Sequence, residues 1–318
     1  MRQSFAYFCL ERRMPVRKKK AYIGFIAPGF IIYTILMIVP IACAVYFSFF
    51  EWSGIGPMKF AGLDNFKKLF FDARMSKIFF NALMNNIKYL VCVLLIITPL
   101  QIFFAYMIYI KIPCHKYIRM MLFLPYVIST SIVGFFAIIM LDPNIGVGNS
   151  IIGALFGNKA KLAWLGDPAM VFKIFVMVVI WQCIGSGMMI FYADMQEIPS
   201  EIIEASIIDG AGGWTRFSKV VFPSLSASFS TNITLSVIYA LTMFDIPYIL
   251  VGPQGGVNNK IDFVNMVFYR YAFGGTYFGE TSIGFGSSIS VTMFIIILTF
   301  SFVTRKLLKG RAGREDRG

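Results

Sequence analysis

Six long apolar runs occupy most of the chain, at residues 21–50, 87–110, 120–141, 169–192, 225–251 and 283–303. Each exceeds the roughly 20 residues that a helix, rising about 1.5 Å per residue, needs to cross about 30 Å of hydrocarbon. Backbone N–H and C=O groups in lipid must be paired within the spanning structure, and none of the runs alternates with the period of a barrel strand. The pattern predicts an all-α integral membrane protein of six spans. Pro40, Pro99, Pro125 and Pro247 fall inside runs, where neighbouring helices tolerate a kink. Residues 51–86 carry Trp52, Gly54, Gly56 and Pro57, then Gly62-Leu63-Asp64-Asn65-Phe66. That order predicts a turn followed by a short interfacial helix. Residues 142–167 mix Gly, Asn and Pro around an apolar patch at 151–156, which predicts a small surface or re-entrant helix.

The interval 194–224 has another character. It holds five of the sixteen carboxylates, Asp194, Glu197, Glu201, Glu204 and Asp209. Pro199 suits a first helical turn, and Glu201 suits the positive end of a helix dipole. A helix running to about Ile208, ended by Gly210 or Gly212, and a second over 214–221 would form a helix-turn-helix knob. Trp214, Phe217 and Val221 share one face of the second helix. In an otherwise oily chain such a knob is where a soluble partner could take hold. Ala205 and Ser206 would permit close backbone approach, and Glu204 could pair with a partner cation.

Composition narrows the class. The chain is 58% hydrophobic with a mean hydropathy of +0.72, well above a soluble domain. Six spans within 318 residues leave no room for a separate large soluble domain. The net charge of +13 could suggest nucleic acid, but the cations flank apolar runs, at Arg12, Arg13, 17–20, Lys111, Lys116, Arg119 and 305–317. That is juxtamembrane anchoring. With the N-terminus inside, 18 of the 29 Lys and Arg residues fall on the cytoplasmic side. The bias predicts a multi-pass protein with both termini and the 194–224 loop in the cytoplasm. The organisation is then a basic tail at 1–20, a membrane domain at 21–304 and a second basic tail at 305–318. The first apolar run is too long for a signal-peptide core and lacks a small-x-small cleavage site, so it reads as a retained span. The five cysteines show no metal or redox spacing and read as packing residues. His115, the only histidine, lies beside Lys116 in a basic turn, so neither a metal site nor a histidine-based catalytic site is expected.

The 194–224 loop closely resembles the EAA loop of permease subunits in bacterial ABC importers, and most closely the carbohydrate-uptake branch. The residues that carry the likeness are Ile198-Pro199, Glu204-Ala205-Ser206, Asp209-Gly210-Ala211, Phe217 and Phe222-Pro223. The likeness continues through Ala27-Pro28, Pro40, Ser48-Phe49, Trp52 and 62–66, as in the maltose and glycerol-phosphate importer first permeases. Phe123-Leu124-Pro125, 164–168, Phe244-Asp245, Gly252-Pro253, Tyr271-Ala272-Phe273 and Gly284 extend it over most of the chain. Ser206 stands where the family usually has Ala, and a second proline near Ser226 or Ser228 is absent.

The resemblance implies the six-helix type I ABC importer permease fold in a bacterial plasma or inner membrane. It implies a second permease subunit, two cytoplasmic ATP-binding subunits and an extracytoplasmic solute-binding protein. Glu204, Ala205, Ser206, Asp209, Gly210, Ala211, Phe217 and Pro223 would be the ATPase-coupling residues. Nothing matches G-x-x-x-x-G-K-S/T, so ATP and Mg would reside on the partner ATPase, with no cofactor in this chain. The two helices adjoining the loop would line a sugar pathway. Gln182 and Ser186 share a face at i, i+4, Ser236, Tyr239 and Met243 share another at i, i+3, i+7, and Trp181 adds a ring. Polar residues in bundle helices also serve simply as interhelical bonds. Asp245, near the outer end of the fifth span, reads as a gate or an ion-pair partner. A self-sufficient secondary carrier or channel would be expected to hold membrane-embedded charges, and an integral-membrane enzyme clustered His, Asp or Glu. The spans offer almost none of the former and no such cluster of the latter.

Overall fold

In the computed structural model the described residues are 19–156, 162–274 and 281–315. Most of the predicted tail 1–20, together with Lys159 and Lys161 of the 142–167 interval, lies outside them. Contacts divide the chain into residues 1–46 and 47–318. The first unit holds α1 (Lys19–Tyr33), a π-helical turn (Thr34–Ile38) and the start of α2 (Val39–Phe47).

The second unit opens with the antiparallel strands β1 (Phe50–Glu51) and β2 (Lys59–Phe60), paired Phe50 to Phe60. This hairpin is the one departure from an all-helical fold among the described residues. Then follow α3 (Asp64–Phe71), α4 (Ala73–Cys92), a π turn (Val93–Ile97) and α5 (Thr98–Tyr109). After these come α6 (His115–Val127), α7 (Thr130–Met140), α8 (Val147–Phe156), α9 (Val171–Gln196) and α10 (Ser200–Ile208). The chain continues through α11 (Gly213–Arg216), a π turn (Phe217–Val221), α12 (Phe222–Ser224), α13 (Ser226–Leu241) and α14 (Asp245–Val251). It ends with α15 (Val264–Phe273) and α16 (Ile283–Glu315). Five helical stretches are long and apolar enough to span a membrane, and α6 with α7 makes a sixth if the bent pair is one span.

The π turns have a common cause. Each ends two residues before a proline, at Pro40, Pro99 and Pro223. Proline has no N–H for the carbonyl four residues back and its ring crowds that carbonyl, so a widened turn relieves both defects.

Three spans differ from the sequence expectation. The second is not confined to 87–110 but runs unbroken from Ala73 to Tyr109, 37 residues, or about 55 Å of helix. Asp72 starts it by accepting from the N–H groups of Arg74 and Met75 at 3.0 and 2.9 Å. Those backbone bonds, Met75 foremost, hold its carboxyl below the ordinary value. The third span bends by 100° between α6 and α7. The break is not at Pro125 but at Ile128 and Ser129, whose ψ angles are 139° and 135°. The fifth is interrupted between α13 and α14, where Phe244 has φ −147° and ψ −54°.

Asn86 repairs that interruption. Fully buried, it donates to the Ala240 and Leu241 carbonyls at 2.9 and 3.2 Å and accepts from the Val264 N–H at 3.1 Å. Asn265 donates to the Thr242 carbonyl at 2.8 Å. A helix broken inside a bundle keeps its polar backbone only when neighbours satisfy it in this way. The core beside it is aromatic, with Phe175 ring centroids 5.2 Å from both Tyr89 and Phe263. Gly185 lets α6 press on α9, since a β-carbon there would lie 2.7 Å from the Phe123 Cα. Gly134 does the same between α7 and α14, where a β-carbon would lie 2.7 Å from Ile249 Cγ2. Small residues at these crossings are the usual means of close helix packing in membranes.

Candidate functional site

A cavity of about 500 Å³ opens at the level of the two broken spans. Tyr126 and Thr130 flank the break between α6 and α7, while Tyr239 and Thr242 lie at the end of α13. The second span contributes Tyr89, Val93, Ile97 and Gln101, and α9 contributes Gln182, Cys183, Ser186, Gly187 and Ile190. No Asp, Glu, Lys, Arg or His lines it.

Its polar groups are mostly fixed by protein. The Gln101 amide donates to the Cys183 carbonyl at 2.9 Å, across the space that Gly187 leaves for it. Ser186 donates to that same carbonyl at 2.9 Å, and Ser236 donates to Asn232 Oδ1 at 3.3 Å. Gln182 donates through Nε2 to Thr130 Oγ1 at 3.1 Å, yet its buried Oε1 has no partner. A buried amide oxygen left unpaired is costly, and this one belongs to a residue of the cavity wall.

Of the six residues expected on the pathway, the structure brings Gln182, Ser186, Ser236 and Tyr239 together around this cavity. Trp181 lies elsewhere, on a separate apolar groove of about 330 Å³ with Val133, Phe136, Met140 and Met177. Met243 is buried in the core beyond the end of α13. Tyr89, Gln101, Tyr126, Thr130 and Asn232 line the cavity and were missed: the spans of the first four do not adjoin the acidic loop, whereas Asn232 lies on α13 itself, one turn before Ser236. Asp245 is exposed in the first turn of α14 and makes no ion pair among the described residues. The buried ion pair is another one. Arg270 binds Asp262 through two bonds of 2.8 and 2.6 Å and also donates to the Pro253 carbonyl.

The 194–224 segment forms the hairpin that its residues predicted. Helix α10 ends in a Schellman motif, with the Ala211 N–H on the Ser206 carbonyl at 2.9 Å and the Gly210 N–H on the Ile207 carbonyl at 3.0 Å. Gly210, not Gly212, takes the left-handed position, with φ +76°. Ser206 is buried and donates to the Ile203 carbonyl at 2.6 Å, whereas Glu204, Ala205 and Asp209 are exposed. Ile208 and Trp214 stand out at 85% and 77% exposure. Ala211 and Phe217 are half-buried and Pro223 is exposed. The base of the hairpin is fastened to the spans that wall the cavity. Tyr106 donates to the Gly213 carbonyl at 3.0 Å and its ring lies 4.7 Å from that of Phe217. Val221 and Leu225 are buried among Ile102, Ala105, Ile108, Met188, Phe191 and Met195. The hairpin therefore links α9 directly to α13, the helices that carry Gln182, Ser186, Ser236 and Tyr239.

Residues 73–310 match the family described as the binding-protein-dependent transport system inner membrane component. The chain belongs to that family. As an inner membrane component it is a multi-pass membrane protein and a transport-system permease. Relatives match it nearly end to end. A probable starch degradation products transport system permease protein of Thermoanaerobacterium thermosulfurigenes is 30% identical over 90% of this chain and 93% of its own length. A diacetylchitobiose uptake system permease protein of Streptomyces coelicolor is 27% identical over 96% and 88%. Among solved structures, a bacterial alginate ABC transporter in complex with alginate pentasaccharide-bound periplasmic protein superposes with a TM-score of 0.80 at 19% identity. That match covers 93% of this chain and 96% of the other, and it supports the type I importer permease fold.

Proposed function

We propose that this permease forms half of the translocation pathway of an ATP-driven importer for a neutral oligosaccharide. The arrangement that carries the reading is the uncharged, hydroxyl- and amide-lined cavity joined through α9 and α13 to an exposed acidic hairpin. A second permease completes the pathway, two cytoplasmic ATPases grip the hairpins, and a binding protein delivers solute from the other side. ATP and Mg belong to the ATPases. The Lys and Arg bias supports a cytoplasmic hairpin and cytoplasmic termini. Closure of the ATPases would move Glu204, Ala205, Asp209 and Gly210 as one knob, with Ser206, Ala211, Phe217 and Pro223 holding its shape and its attachment. Rigid α9 and α13 would transmit that motion to the cavity walls, an alternating-access change without bond chemistry in this chain.

Neutral sugars fit the lining better than acidic ones, because no cation is present to pair with a carboxylate. The relatives named for starch degradation products and for diacetylchitobiose support this class. The absence of charge in the cavity also disfavours an ion-coupled carrier.

Purification through a tag on this chain is expected to bring along a second permease and an ATPase. In proteoliposomes, uptake of a neutral maltodextrin should require both ATP and the binding protein. Uptake by the lone chain without ATP would overturn the reading. Within the working assembly, Gln182→Leu removes the unpaired acceptor and should raise KM by up to about tenfold, the worth of one hydrogen bond. ATPase co-purification should be unchanged. An unaltered KM would take Gln182 off the pathway.

A further inference from the structure

We infer that the β1–β2 hairpin and α3 form a cationic, aromatic platform that inserts into the phospholipid leaflet at the adjacent end of α16, with a preference for anionic lipid. Three observations converge on this. The first is position. The Gly284 N–H, one residue into α16, donates to the Trp52 carbonyl at 3.1 Å. Asn65 of α3 donates to the Ser48 and Phe50 carbonyls at 3.0 and 2.9 Å, and the Lys68 ammonium lies 5.3 Å from the Phe285 ring centroid. The stretch Ile283–Lys306 is long and apolar enough to span a membrane, and these bonds would hold the platform where that span enters the hydrocarbon.

The second observation is the apolar surface. Ile55, Phe71 and Phe60 are 89%, 83% and 75% exposed, although Leu69 and Asn65 on the opposite side of α3 are buried. A short helix with one packed face and exposed phenylalanines on the other has the make-up of an element lying in an interface. The third is charge. Lys59, Lys67 and Lys68 are exposed on this segment, and Arg74 and Lys77 are exposed just after it on the first turns of α4, against Glu51, Asp64 and Asp72, with Lys67 paired to Asp64 at 2.9 Å. The excess of cations complements anionic headgroups, and lysine stems can lie along the apolar surface with the ammonium in the headgroup layer. An acidic face on the solute-binding protein is the competing occupant. Level with the end of α16, a lipid headgroup is the nearer source of negative charge.

The test is photo-crosslinking of the assembled transporter in native membranes, with benzoylphenylalanine in place of Phe60 or Phe71. Mass spectrometry of the chain should find phospholipid adducts at both positions, with anionic lipid enriched several-fold over its share of the membrane. The double variant Lys59→Gln, Lys67→Gln should bring that enrichment down to the bulk composition while leaving the adducts themselves. Adducts to a neighbouring polypeptide, or no lipid adduct at either position, would overturn the platform. Adducts that already mirror the bulk lipid in the unaltered background would overturn the role given to the lysines.

Discussion

Gly210→Val should lower uptake by about an order of magnitude while the protein still inserts and assembles with its permease partner. A β-carbon at Gly210 would meet nothing within 4 Å, so crowding is not the obstacle. The obstacle is φ +76°. A left-handed backbone costs an L residue about 1–2 kcal/mol, and β-branched side chains bear it worst. The Schellman bonds from Gly210 and Ala211 then fail to close, and α10 loses the end that sets the direction of Glu204 and Ala205. A loss of about 1–2 kcal/mol at a docking knob corresponds to roughly 5- to 30-fold in association.

The substitution series separates this explanation from a merely sensitive loop. Gly210→Asn should retain most uptake, since asparagine visits the left-handed region readily. Gly210→Ala should fall between the two. Glu204→Arg should also reduce ATPase co-purification, for an electrostatic reason that leaves the hairpin folded. The ordering is read from ATP-dependent uptake and from the ATPase recovered with the tagged chain. Equal uptake by the glycine and valine forms would remove the hairpin from the coupling path.

The spans were legible because their cue is length, and lipid admits one local solution to a long apolar run. Rotation about a helix axis was not legible. Trp181 and Gln182 are neighbours in sequence, but about 100° of turn separates them, and packing alone put Gln182 on the cavity and Trp181 on the apolar groove. Met243 was placed by extrapolating α13 one turn past Tyr239, although the helix ends at Leu241. The outer part of the second span read as loop because Arg74, Lys77, Asn81, Asn85 and Asn86 keep residues 73–86 from forming an apolar run. Asn85 and Asn86 in fact face inward, where they satisfy carbonyls of residues more than 150 positions away. The breaks after Val127 and Leu241 carry no glycine or proline, so no local signal announces them. The hairpin was readable for the opposite reason. Its turn depends on a glycine, a cap and an adjacent proline, all local chemistry.

Arg270→Met should destabilise the protein by about 3–5 kcal/mol, the cost of stranding one charge of a buried pair. Asp262 and Arg270 lie deep between the end of the fifth span and the start of α16, at 1% and 7% side-chain exposure. Their surroundings hold the pair in place. Gly252, Gly255, Gly256, Asn258 and Asn259 all take positive φ, and a β-carbon at Gly255 would collide with Asp262. Asn85 donates to the Asp262 carbonyl at 2.9 Å. Burial raises the Asp262 carboxyl above its ordinary value, and the Arg270 guanidinium opposes that rise. Removing Arg270 takes away the opposing influence, so the carboxyl moves higher still. A folded-state value raised above the unfolded one gives stability that is greatest at low pH and is lost as pH climbs through the folded value. The defect of Arg270→Met should therefore be largest near neutral pH and shrink on acidification, as Asp262 takes up a proton. In the double variant Asp262→Asn, Arg270→Met no charge remains to strand, and both the defect at neutral pH and its pH dependence should largely disappear. Thermal denaturation of the detergent-solubilised assembly between pH 5 and 8 reads all three forms. A single variant as stable as the parent, or a deficit independent of pH, would show that this ion pair does not hold the loop.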